Sequence, residues 1–170
     1  MLQRFRDRLV HCLLVSLVVV IGGCNDREAT ALAPIVAIEP ALVGLVDSCS
    51  SLVGGTQSAT IGKDGGVIAV GPDTLIIPSG ALARSTMITA TIPTGSSVNV
   101  VAFQPDGLKF KKAVTLALSY AACGSLTGSV TIAQVDDSMH IITYLKTKTN
   151  RVTRQVTGQL QHFSNYALAY

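Results

Sequence analysis

Three adjacent residues, His162, Phe163 and Ser164, form the sharpest chemical constellation in the 170-residue chain. An imidazole is the commonest side-chain base near neutral pH, and a Ser hydroxyl is a common nucleophile. In a strand, residues two apart point to the same side, so His162 and Ser164 can flank the Phe163 carbonyl together. The structural alternative is a His beside a Ser in a last core strand, satisfying buried hydrogen bonds. Other candidates are sparser. Beyond residue 23 the one other histidine is His140, just after the turn Asp136-Asp137-Ser138. No spacing supplies the partners of a Ser-His-Asp triad there, so His140 reads as a strand-end residue. Two adjacent carboxylates fall short of a calcium loop, so Asp136 and Asp137 read as turn formers. Gly62-Lys63-Asp64-Gly65-Gly66 lacks the spacing of a phosphate-binding loop and reads as a hairpin turn. Lys109, Lys111 and Lys112 form one basic cluster, and Lys146, Lys148, Arg151 and Arg154 another. Lys146 and Lys148 share a strand face, as expected of a solvated or protected sheet edge. Contact with anionic lipid or lipopolysaccharide is the alternative.

The cysteines carry a different chemistry. Residues 1–8 hold Arg4, Arg6 and Arg8, residues 13–21 are apolar apart from Ser16, and Asn25-Asp26-Arg27-Glu28 follow Cys24. Charged, apolar and small-residue regions in this order make a secretory signal peptide over residues 1–23. The apolar run would span only ~14 Å as a helix, against ~30 Å of bilayer hydrocarbon. Ile21-Gly22-Gly23-Cys24 resembles the lipobox of bacterial lipoproteins. The resemblance implies cleavage before Cys24, a diacylglycerol on its thiol and acylation of its new amine, a stable membrane anchor. Asn25 after the Cys favours the outer membrane if the cell is Gram-negative. Cys12 would then leave with the signal and Cys24 would be lipidated. Cys49 and Cys123 remain, in an oxidising setting where a disulfide persists; two separate buried thiols are the alternative. Such a bond would close a long loop and contribute up to ~4 kcal/mol. No Cys or His spacing supports a metal site, and no cofactor is expected.

Composition bounds the frame that holds these residues. Hydrophobic residues make up 48% and charged residues 14%, which excludes a disordered, acidic or coiled-coil chain. With 5% aromatics and no Trp, the core must be built from Val, Ile, Leu and Ala. Of the net charge of +3, Arg4, Arg6 and Arg8 against Asp7 supply +2, leaving a body of net +1. A nearly neutral body gives no electrostatic reason to expect nucleic acid. Residues 24–59 read as a tether with a possible first strand at 42–46. From Ile61 onward the period is two. Ile88, Ala90 and Ile92 share one face, as do Val114, Leu116 and Leu118. Further apolar or alternating runs lie at 67–70, 74–77, 98–103, 130–135, 141–145, 152–156 and 166–170. Between them fall turn signals such as Gly71-Pro72-Asp73, Pro105-Asp106-Gly107 and Thr149-Asn150. Many short strands at this spacing predict an all-β chain, a single antiparallel β-sandwich over residues 60–170 or a barrel.

Ile77-Pro78-Ser79-Gly80-Ala81-Leu82, Pro105-Asp106-Gly107-Leu108 and His162-Phe163-Ser164 together resemble the ZU-five domain. That family is the β-sandwich of zonula occludens proteins, netrin receptors and ankyrins. The resemblance implies a β-sandwich, a role in protein–protein contact and, in some members, self-cleavage. In self-cleaving relatives the Ser hydroxyl attacks the preceding Phe carbonyl. An N-to-O acyl shift gives an ester that water then hydrolyses. Carried over, His162 would be the general base and Ser164 the nucleophile, with the cut between Phe163 and Ser164. The leading expectation is a non-enzymatic, membrane-anchored lipoprotein of the cell envelope with a binding or structural module. Its partners would be the membrane, through lipid on Cys24, and a protein or envelope component. On that reading the chain stays intact, with His162 buried and hydrogen-bonded. The autoproteolytic domain is the alternative.

Overall fold

Val, Ile and Thr favour the extended backbone, and period-two apolar patterning gives each strand one side to bury. The computed structural model describes residues 44–46, 48–50, 52–124, 126 and 128–170. The signal peptide, Cys12, Cys24 and the start of the tether lie outside them. Among the described residues there are eleven strands: β1 (Gly55–Ile61), β2 (Gly66–Val70), β3 (Asp73–Ile77), β4 (Thr86–Ile92), β5 (Val100–Gln104), β6 (Lys109–Ser119), β7 (Thr131–Val135), β8 (Ile141–Tyr144), β9 (Thr147–Asn150), β10 (Gln155–His162) and β11 (Asn165–Ala169). They form a six-stranded sheet, β1-β4-β5-β11-β7-β8, and a five-stranded sheet, β2-β3-β6-β10-β9. Every pairing is antiparallel. The expected antiparallel β-sandwich is therefore the fold.

The core fills the space between the sheets. Ile88, Ala90 and Ile92 of β4 face Leu75 and Ile77 of β3 and Val114, Leu116 and Leu118 of β6 in one cluster. Each fully buried Leu or Ile contributes roughly 1.5–3 kcal/mol relative to exposure. A second, smaller cluster lies on the other face of the six-stranded sheet, where Val100, Ala133, Val135, Ala167 and Ala169 are buried. Strand β11 is thus buried on both faces: Tyr166 and Leu168 enter the main core, Ala167 and Ala169 the second.

The domain starts earlier than residue 60. Strand β1 begins at Gly55, and Val46, Cys49 and Leu52 are already core residues. The polar run Thr56-Gln57-Ser58 looks like linker but forms an edge strand. There the hydroxyls of Thr56 and Thr91 (3.2 Å) and of Ser58 and Thr89 (2.8 Å) pair across β1 and β4. Of the strand expected at 42–46, residues 42–43 lie outside the described residues; Leu45 forms a bridge with Ala169, and the Val46 N–H donates to the Leu168 carbonyl (3.0 Å). Cys49 and Cys123 form the expected disulfide, tying this segment to the loop after β6.

Two other local expectations are corrected. Residues 62–66 do not close a hairpin between paired strands, because β1 and β2 belong to different sheets. The turn carries the chain across the sandwich. Gly65 has φ 78° there, and a Cβ on it would run into the Ile77 carbonyl. Residues 151–154 are a turn, not the start of a strand, and Val152 is 94% exposed. The Asn150 side-chain oxygen accepts the Val152 and Thr153 N–H groups (3.0 and 3.1 Å) and so folds the turn.

Candidate functional site

The His162-Phe163-Ser164 segment sits where β10 hands the chain to β11. The β10–β6 register shifts between Leu160 and His162, so the strand ends at His162 and residues 163–164 form the link. Phe163 is fully buried. Its ring stacks on Phe103 (centroids 4.9 Å apart) and meets Phe110 edge-on (4.8 Å). Its backbone is held on both sides: its N–H donates to the Leu108 carbonyl (2.9 Å), and the Gly107 N–H donates to its carbonyl (3.1 Å). The His162 imidazole Nδ1 is 3.1 Å from the same carbonyl oxygen. A carbonyl can only accept, so Nδ1 carries the hydrogen and two donors polarise one C=O. Tyr166 completes the bracket, its hydroxyl donating to the His162 carbonyl (2.8 Å). Burial, with Asp106 nearby, pushes the Tyr166 phenol up to about 12, so it remains a donor at any ordinary pH.

Ser164 faces a different partner. Its hydroxyl oxygen accepts from Gln134 Nε2 (3.2 Å), and no hydrogen bond among the described residues joins it to His162. Of the His162 and Ser164 side chains, only His162 hydrogen-bonds the Phe163 carbonyl, because residues 163–164 leave the strand and the two-residue alternation stops. His162 is half-buried rather than buried, since it lies at a strand end. A nitrogen donating to the carbonyl cannot at the same time take the Ser164 proton.

Asp136, Asp137, His140 and the Lys146–Lys148 pair are turn and edge residues in the structure, while Lys109, Lys111 and Lys112 lie on the central strand β6. Asp136 accepts the Ser138 and His140 N–H groups (2.9 and 2.8 Å), and its second oxygen lies 3.1 Å from His140 Nδ1. The His140 N–H above all, then the imidazole and the Ser138 N–H, holds this exposed carboxyl below its usual range. Asp137 accepts from Asn165 Nδ2 (3.0 Å). Lys148 lies on β9, an edge of the five-stranded sheet, and Lys146 immediately precedes it. Among the described residues, no group of three or more His, Cys, Asp or Glu could hold a metal ion.

A buried polar cluster lies elsewhere, and the sequence reading missed it. Asp73, Asn99 and Ser119 are all buried. Asp73 Oδ1 accepts from the Ser119 N–H (2.7 Å) and from Asn99 Nδ2 (3.1 Å), which also donates to the Ser119 carbonyl (2.9 Å). Asp73 and Ser119 belong to the five-stranded sheet, while Asn99 precedes β5 of the other, so the cluster bridges the two layers. Asp73 Oδ2 and Asn99 Oδ1 have no hydrogen-bond partner among the described residues. Burial pushes the Asp73 carboxyl up to about 6, against the lowering effect of its two hydrogen bonds. Asp73 read as part of a Gly-Pro-Asp turn. The usable signal was Asn99, a polar residue inside the apolar run Val98-Asn99-Val100-Val101.

No protein-family model matches this chain, and no curated protein matches it in sequence. The fold and its local chemistry define it as an antiparallel β-sandwich with a Cys49–Cys123 disulfide.

Proposed function

We propose that this chain is a lipid-anchored protein of the bacterial cell envelope whose β-sandwich acts as a binding or structural module. The observation that carries the reading is the partition of its cysteines. Cys49 and Cys123 are joined in a disulfide, the chemistry of an exported, oxidising compartment. Cys24 ends an Ile-Gly-Gly-Cys lipobox behind a signal-like stretch. Diacylglycerol plus an amine-linked acyl chain supplies the two anchors that stable membrane attachment requires. The ZU-five-like blocks around Ile77–Leu82 and Pro105–Leu108 favour a contact module over an enzyme. Detergent-phase partitioning tests this: wild-type protein should enter the detergent phase, and Cys24→Ser should abolish both lipidation and normal processing. Wild-type protein recovered soluble, cleaved elsewhere, would refute the anchor.

A second reading, autoproteolysis between Phe163 and Ser164, draws on one observation: Gly107 N–H and His162 Nδ1 both donate to the Phe163 carbonyl. Two donors stabilise the charge that develops when a hydroxyl adds to that carbon. The engagement of Ser164 with Gln134 instead of His162 ranks this reading second. Fragment formation in a denaturing gel, lost in Ser164→Ala, would promote it.

A further inference from the structure

The turn after β9 builds a cationic cleft at one end of the sandwich, away from the His162-Phe163-Ser164 link. The cleft, of about 440 Å³, is lined among others by Tyr120, Ser129, Thr149, Arg151 and Arg154. That volume suits a ligand of small-molecule size. No carboxylate is among its described lining residues. Among the described residues the one contact between a basic and an acidic side chain joins His140 to Asp136, so neither arginine is paired with a described acid.

The turn that carries both arginines is held in place by the fold. Asn150 caps the turn through the Val152 and Thr153 N–H groups. The Tyr120 hydroxyl donates to the Asn150 carbonyl (3.2 Å), and the Tyr120 N–H donates to the Arg154 carbonyl (2.9 Å). Arg154 has φ 51°, a left-handed conformation that a non-glycine residue adopts only when its surroundings enforce it. Those surroundings are visible: its Nη2 donates to the Cys123 carbonyl (2.6 Å), and its guanidinium lies 5.7 Å from the Tyr120 ring centroid. One edge of the guanidinium is thus used for fixing, and other N–H donors remain. Arg151, exposed, makes no hydrogen bond among the described residues. A preorganised and a free guanidinium, three residues apart on one turn, offer two positive charges and forked donors to one ligand.

We infer that this cleft binds a phosphate monoester, with Arg154 as the fixed donor and Arg151 closing on the ligand. A dianion matches two guanidinium charges, whereas a monocarboxylate matches one. Tyr120 and Val130 give an apolar wall for the carbon portion. The inference rests on the binding-module reading, and it leaves the anchor at Cys24 untouched.

The test is an NMR titration of the isotope-labelled, full mature chain in neutral detergent micelles with inorganic phosphate. Saturable shifts should appear at the Tyr120 and Arg154 amides and at the arginine side chains. Arg151→Gln should weaken binding about tenfold or more, the loss of one charge-assisted contact. Arg84→Gln, on the surface outside this cleft, should leave it unchanged. Arg154→Gln should weaken binding at least as much, but it also removes a contact to Cys123. Arg151→Gln is therefore the decisive variant. No saturable shift, an unchanged affinity in Arg151→Gln, or equal binding of acetate would each overturn the proposal. Doping the micelles with phosphatidic acid separates the sources. Tighter binding there than to free phosphate assigns a lipid headgroup, and equal binding assigns a soluble phosphomonoester. Detergent partitioning is scored separately, so a failed anchor and a failed cleft give different results.

Discussion

The His162-Phe163-Ser164 link and the Asp73-Asn99-Ser119 bridge are two polar clusters of the sandwich, and they invert expectation. The link contains the residue types of catalysis, yet its His162 ring, Phe163 carbonyl and Ser164 hydroxyl all have partners. The bridge reads as a turn residue and two strand residues, yet it is fully buried and leaves two acceptor oxygens without donors. Electrostatic tension in this molecule therefore sits between the layers. A low-dielectric interior makes an unpaired oxygen costly, whereas the partly solvated link can relax against water. Residue type alone points to the link, and burial points to the bridge.

The sharpest way to sharpen the contrast is to remove the apolar element of the link. Phe163→Ala deletes a ring packed on both Phe103 and Phe110. It should cost roughly 3–5 kcal/mol in denaturant unfolding. A loss under about 1 kcal/mol would mean the link is not part of the core.

The bridge should respond to pH. The Asp73 carboxyl is raised in the folded protein from 3.8 to about 6. The folded state then binds the proton more tightly than the unfolded state. Its stabilising contribution is complete below the unfolded value and is lost as pH rises through the folded value. The amplitude is at most ~3 kcal/mol. A proton on Oδ2 also turns one orphaned acceptor into a donor. Asp73→Asn keeps the shape and supplies that donor permanently, so its stability should be flat across this window. Parallel pH curves for wild type and variant would remove the bridge as the seat of tension.

The smallest effects belong to the polar atoms of the link. His162→Ala removes one of two donors to the Phe163 carbonyl while Gly107 keeps the other. The cost should be about 1 kcal/mol by thermal or denaturant melting. Ser164→Ala, leaving Gln134 to find water in a part-buried site, should cost no more than that.

The sequence made the frame readable wherever one face of a strand is apolar. Ile88, Ala90 and Ile92, and Val114, Leu116 and Leu118, face inward as their spacing requires. Strand β1 was hidden because its stability comes from hydroxyl pairs with β4, a partner thirty residues away that periodicity does not reveal. The turn at 151–154 was hidden because Val152 and Val156 look like strand residues. An Asn cap decides that local choice instead. For the link, the residue types were legible but the geometry was not, since the end of β10 depends on its register against β6. The bridge was least legible. Asp73 and Asn99 come from different sheets, and only the packing of the layers brings them together.

The central claim, an anchored sandwich with an intact link, is tested most directly by the intact mass of denatured wild-type protein purified from membranes. That mass should correspond to one covalent chain beginning at acylated Cys24 and running through Phe163-Ser164 to Tyr170. A chain without acyl groups that begins elsewhere would contradict the anchor, and a chain ending at Phe163 would make the molecule an autoprotease.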